Sequence, residues 1–261
     1  MKQSNLIMLT SNIRHKKFFV KSMIAGIKFP LPIIHNNRTR ATVKELSCYS
    51  IGHSNYSIVT FVGILAAHGV NCVADVRSAP YSRHHPQFNR ESIKTDLHLA
   101  DMDYLYLGDS LGARHSRPSV LTPDGKVDFS RVRLMAAFQT GIDRVIRGIK
   151  KGLFIALMCA EKNPFDCHRF VLVSRELAAC GVLVSHIISS ELILPQLALE
   201  QQLLEKYGLH RYQPGLFEQP KQKNDLLSQA YELRNRDIAF SAEAERHLSE
   251  KKDVGPAHLI D

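Results

Sequence analysis

The sequence has no run of 18 or more apolar residues and no secretory leader pattern, so it predicts neither a membrane-spanning helix nor export. It also has no internal repeat, which excludes a solenoid or propeller array. Acidic side chains are nearly missing from the first 45 residues, where Glu45 stands alone against nine lysines and arginines. That stretch holds +8 of the formal +9, which leaves +1 for the other 216 residues. Bulk charge therefore gives no argument for a polyanion groove across the body of the protein. Cysteine is sparse and odd in number: Cys48, Cys72, Cys159, Cys167 and Cys180. Cys48 and Cys72 fall in apolar runs, where a thiol behaves as a small hydrophobe. A cytoplasmic protein with free thiols is expected.

Residues 1–45 show no clear period and are interrupted by Pro30, Pro32 and Asn36-Asn37. Composition allows a disordered or non-native extension, a basic nucleic-acid arm, or a transit peptide. Residues 46–190 are regular and read as an α/β core domain. Strands are predicted over 46–51, 70–76, 103–107, 153–158 and 182–188. Helices are predicted over 57–69, 90–100, 129–150 and 167–180, with Ser57 as a cap and Gly69 and Gly181 as stops. The alternation predicts a doubly wound, mostly parallel sheet with helices on both faces. Residues 191–261 read as a helical C-terminal extension, with helices over 191–207 and 221–252, the latter packed loosely.

Open α/β sheets bind ligands beyond the carboxyl ends of their strands. Four polar motifs fall there. In the first, Gly52 precedes His53, Ser54 and Asn55, which offer donors before a helix. In the second, Asp75, Arg77 and Ser78 end a strand and lead to Arg83. A carboxylate beside an arginine suits anion binding or acid–base work, and equally a structural ion pair. The third runs from Tyr106 to Gly112, with Arg114 following, and its glycines admit a phosphate or sugar. The fourth is Cys159-Ala-Glu161-Lys-Asn-Pro-Phe-Asp-Cys167-His168-Arg169. Asp166 is placed to cap a helix whose first turn carries Cys167, His168 and Arg169. Such a terminus holds anions and lowers a thiol pKa. Structural thiols are the alternative. Zinc on Cys159, Cys167 and His168 matches no closed spacing pattern, so no metal site is assigned. No cofactor is assigned either.

The blocks YSIGHSN, VADVRSAPYSRHHPQF, YLYLGDSLGAR and LMCAEKNPFDCHR resemble the signature blocks of the family called domain of unknown function 488. The likeness spans roughly residues 48–190, with Ala113 standing where a second glycine is usual. It implies the α/β fold and a site built from these blocks, and no particular reaction. A partial likeness to rhodaneses joins the Asp-x-Arg strand end to a later cysteine strand end. It departs from them because Arg169 comes ten positions after Cys159.

The expected function is an anion, nucleotide or nucleic-acid site at the strand ends, in an enzyme of nucleic-acid metabolism or repair. Asp75, Glu161, Cys159 and Cys167 are the catalytic candidates. His53, Ser54, Asn55, Arg77, Ser78, Arg83, Gly108, Gly112, His168 and Arg169 are the ligand-binding candidates. The alternatives are a non-catalytic module and a cysteine-dependent transferase. The expected partners are a phosphorylated or nucleotide ligand and DNA or RNA, with no membrane. Gln213, Leu216 and Phe217 resemble the Gln-x-x-Leu-Phe peptide that docks bacterial proteins on the replication sliding clamp.

Overall fold

The computed structural model describes residues 45–213 and 221–241. Its strands are β1 (Ser47–Gly52), β2 (Cys72–Asp75), β3 (Asp103–Tyr106), β4 (Ile155–Cys159), β5 (Leu183–Ile187) and β6 (Ile193–Pro195). They form one sheet in the order β3-β2-β4-β1-β5-β6, parallel except for β5–β6. The helices are α1 (Ile58–Ala67), α2 (Arg90–Leu99), α3 (Gly108–Leu111), α4 (Phe129–Arg133), α5 (Ala136–Lys150), α6 (Arg175–Ala179), α7 (Gln196–Lys206) and α8 (Lys223–Ile238). Among the described residues no helix is long and apolar enough to cross a membrane.

The sheet is buried on both faces, which explains why β4 reads as an unbroken apolar run rather than an alternation. Successive side chains still point to opposite faces. Ile155, Leu157 and Cys159 of β4 pack into one core, and Ala156 and Met158 into the other. The second core takes Phe61 and Leu65 of α1 and Ile93 and Leu97 of α2. The first takes Phe138, Ile142 and Val145 of α5, then Leu177, Leu199, Leu203 and Tyr231 from the later helices. Burying each such side chain contributes roughly 1.5–3 kcal/mol. Ser57 caps α1 as predicted by accepting from the Thr60 N–H, and Gly69 (φ 68°) ends the turn beyond it.

The winding fixes the place of the site. The segments leaving β1 and β2 cross on the α1–α2 face. The segment leaving β4, which lies between them, goes to the opposite face. The crevice where neighbouring strands send their chains to opposite faces is thus at the carboxyl ends of β1, β4 and β2.

Four predicted elements differ. The single helix expected over 129–150 is two, because its apolar stripe loses phase. Counting back from Phe138 at helical spacing reaches Leu134 and Arg131, whereas the buried residues are Phe129 and Val132. The extended residue Met135 resets the phase, and the Gln139 side chain donates to the Arg133 carbonyl across the break. The helix expected over 191–207 starts only at Gln196, because Ile193–Pro195 pairs with β5. The helix expected from Cys167 opens instead with a π-helical stretch, Arg169–Ser174. Helix α8 is not loosely attached: Ala230 and Tyr231 are buried in the core.

Candidate functional site

β2 carries Asp75 and Arg77 to the floor of the crevice. The Asp75 carboxylate accepts from the Arg77 backbone N–H (3.1 Å), Arg77 Nε (2.9 Å) and NH2 (2.6 Å), and the Tyr104 hydroxyl (2.7 Å). Arg77 also donates to the Phe88 carbonyl (2.9 Å) and to His53 Nε2 (3.1 Å). Since Nε2 accepts, the neutral His53 ring carries its proton on Nδ1, which donates to the Ser54 carbonyl (2.9 Å). The ring stacks on Phe88 at 4.2 Å. Burial, and then the facing Arg77 charge, lowers the His53 pKa to about 4. Asp75 is fully buried and lines neither cavity described below. The strand-end pair therefore spends its bonds on the protein itself.

β4 ends on Cys159, and the loop after it turns back so that Cys167 meets it. Cys159 Sγ lies 2.9 Å and Cys167 Sγ 3.0 Å from Glu161 Oε2. His168 Nδ1 lies 3.7 Å from the first sulfur and 3.8 Å from the second. His168 Nε2 sits 3.0 Å from the Val76 carbonyl, which can only accept, so Nε2 holds the proton and Nδ1 faces the sulfurs bare when the ring is neutral. Cys167 is extended, and its sulfur accepts from the Arg169 N–H at 3.5 Å. It thus occupies the capping place expected for Asp166, which binds Asn163 and Arg234 instead.

The electrostatics follow from this crowding. Burial works to raise Cys167, but the hydrogen bond from Cys159 and the charges of Arg169 and His168 hold it well below the ordinary thiol range. The same hydrogen bond, and then burial, pushes Cys159 well above it. The pair thus gives up one proton readily and the second with difficulty. Burial and the Cys167 sulfur raise the Glu161 carboxyl. Burial opposes ionisation of His168, yet the neighbouring Cys167 sulfur outweighs it and raises that pKa. Cys48 and Cys72 are raised by burial alone or mainly, to about 12 and about 11, as core thiols.

Arg169 is fully buried. It braces the loop by donating to the carbonyls of Glu161 (2.6 Å) and Lys162 (2.9 Å), and its Nε has no partner among the described residues. On the opposite side the loop rests on β1, with His53 N–H donating to the Cys159 carbonyl and Ser54 N–H to that of Ala160. A Cβ on Gly52 would fall 1.8 Å from the Glu161 carbonyl oxygen. Gly52→Ala is therefore expected to destabilise the fold by about 1–3 kcal/mol or more, because the obstacle is backbone that cannot rotate away. Urea denaturation checks this, and an unchanged midpoint would refute the contact.

Gly108 and Gly112 answer to packing in the same way. A Cβ on Gly108 would meet the Arg77 carbonyl oxygen at 1.9 Å, and one on Gly112 the Gly108 carbonyl oxygen at 2.3 Å. Ser78 lines the crevice and accepts the Arg114 N–H. Ser54 takes a left-handed φ of 47° and bonds Asn55. Arg83 is exposed and lines neither cavity. Gln213 is exposed, while Leu216 and Phe217 lie outside the described residues.

Two adjoining cavities open above these groups. One, of about 260 Å³, reaches Cys159, Cys167 and His168; the other, of about 650 Å³, reaches His53, His85 and Lys162. Arg77, Arg114 and Glu161 line both. Arg114, which follows the third motif, and Lys162, inside the fourth, stand in the quoted blocks but outside the predicted site residues. Ile238 and Phe240, which close the smaller cavity, carry no local sequence signal at all.

Fold and site together define an open, mostly parallel α/β protein with a thiol–carboxylate–imidazole centre at the carboxyl ends of its strands. The chain matches the family model described as Domain of unknown function DUF488 over residues 57–175, a range that holds three of the four motif blocks and excludes Gly52-His53-Ser54-Asn55. No curated protein and no solved structure matches it.

Proposed function

We propose that the chain is an enzyme that takes a phosphorylated or nucleotide substrate into the paired cavities and acts on it with Glu161 and the thiols beside it. One observation carries this reading: Glu161 stands where the two cavities meet, with basic side chains around it. The larger cavity alone falls within the range of small-molecule sites. Tyr81, 66% exposed at its rim, offers a π-face to a base. Lys162 and Arg114 supply positive charge. Arg77 and Arg169 contribute field rather than contacts, because protein acceptors hold them. With +1 on residues 46–261, a nucleotide or a short single strand fits better than a long duplex.

The test is a thermal-shift screen of the full chain against nucleotides, sugar phosphates and short DNA and RNA. A ligand that binds the native state raises the melting temperature. Lys162→Ala should weaken a hit about tenfold, the loss of one charge-assisted contact. Arg83→Ala, outside both cavities, should leave it unchanged. Arg169→Ala is a poor probe, because it releases the loop itself. If no phosphate-bearing compound shifts the melting temperature, the reading fails. If a ligand binds but is turned over equally by a Cys159→Ser, Cys167→Ser protein, the thiols have no part in the reaction.

A further inference from the structure

Two sulfurs, a carboxylate and an imidazole are packed onto one another at the bottom of the smaller cavity. Sequence spacing spoke against a metal, since Cys159 and Cys167 are separated by a loop and His168 directly follows Cys167. The fold removes that objection. β4 delivers Cys159, the loop doubles back, and extended Cys167 aims its sulfur at the strand end. The two sulfurs and a His168 ring nitrogen all lie within 4.8 Å of one another. The Nδ1–sulfur distances of 3.7 and 3.8 Å are close to the roughly 3.6 Å that tetrahedral zinc imposes between a sulfur and a nitrogen donor.

Three further features agree. His168 Nε2 donates to the Val76 carbonyl, which leaves Nδ1 as the donor atom and fixes the ring, the usual outer support of a metal-bound histidine. Glu161 Oε2 touches both sulfurs and adds a fourth donor from the cavity side. Two thiolates and a carboxylate carry three negative charges; a divalent ion and buried Arg169 balance them.

We propose that Cys159, Cys167 and His168 bind a thiophilic divalent cation, zinc foremost, with Glu161 as the fourth donor. This deepens the reading of the same site: the thiols serve the reaction through the ion, and Glu161, on the cavity side, is the donor that an entering substrate or water displaces. Binding forms two metal–sulfur bonds, one metal–nitrogen bond and one metal–oxygen bond as the protons still held by these four donors leave to solvent, with no change of oxidation state. Thiolate ligands select zinc over magnesium or calcium.

The test is titration of the metal-free full chain with cobalt(II), read by its thiolate-to-metal absorption and by the visible bands of tetrahedral cobalt, followed by displacement with zinc. One equivalent per chain is expected. Cys167→Ser and His168→Ala, each checked for folding by circular dichroism, should weaken binding by about tenfold or more. Cys180→Ser, at an exposed thiol, should not. Should the site variants fail to fold, alkylation of the native chain decides: zinc should protect Cys159 and Cys167 and leave Cys180 reactive. Absence of the thiolate–cobalt band, or an affinity and band intensity unchanged in folded Cys167→Ser, would overturn the proposal. A phosphate ligand that still raises the melting temperature in that event would leave the substrate reading standing. A full metal equivalent without any such ligand would leave the metal site standing alone.

Discussion

Asp75→Ala should lower the stability of the protein by about 3–5 kcal/mol, the range seen when one member of a buried ion pair is removed. The size follows from what remains. Arg77 is 5% exposed and keeps its charge, while the carboxylate that takes its Nε and NH2 is gone. The Tyr104 hydroxyl and the Arg77 backbone N–H lose their acceptor as well. An acid–base catalyst at this position would behave otherwise, since its loss would stop turnover and leave the denaturation midpoint near that of the parent. Urea unfolding with an unchanged slope separates the two cases. Asp75→Ala combined with Arg77→Met should recover part of the loss, because the buried charge leaves with its partner. A stability within about 0.5 kcal/mol of the parent for Asp75→Ala alone would return Asp75 to the catalytic candidates.

This pair shows what a sequence does and does not disclose. The strand end, its burial and the nearness of Asp75 to Arg77 are local, and the motif displays them. The direction in which the two side chains point is not local. It depends on Tyr104 from β3 and Phe88 from the loop before α2, which close around them. The doubly wound sheet was legible for the same reason in reverse: apolar runs, a serine cap and glycine stops are short-range signals. The break at Met135 was legible only as a phase shift in the stripe. β6 was hidden because three residues leave no period to read.

The thiol centre lies between these cases. Its four residues stand within one motif, yet their convergence needs the loop to double back. That return is enforced by contacts from elsewhere: the β1 end under Cys159 and Ala160, Gly52 under Glu161, and Arg234 of α8 on Asp166 and on the Phe165 carbonyl. Helix α8 thus helps shape a site whose chemistry is carried by residues some 65 or more positions earlier. Sequence spacing could not have shown that, nor that Phe240 closes the cavity.

Acid should unfold this protein through two histidines held neutral. His186 lies fully buried, accepting at Nδ1 from the Ser50 hydroxyl (2.6 Å) and donating from Nε2 to Gln196 Oε1 (2.8 Å). Burial lowers its pKa to about 4, and His53 is lowered to the same value by burial and Arg77. Both titrate near 6.5 when unfolded. Between pH 6.5 and 4 the unfolded chain therefore binds more protons than the native one, and stability falls as pH falls. Each ring contributes about 3 kcal/mol across that window. Near His53 stand Arg77, Asp75 and His85; near His186, Arg169 and Cys167. Glu161 and His168, both raised, pull the other way, so the decisive quantity is a difference between proteins. His186→Gln should be less stable than the parent at pH 7, yet its stability should depend less steeply on pH, by up to one proton, between 6.5 and 4. Equal slopes for the two proteins would mean that His186 is not neutral in the native state, and that the Ser50–His186–Gln196 chain is not bonded in the direction described.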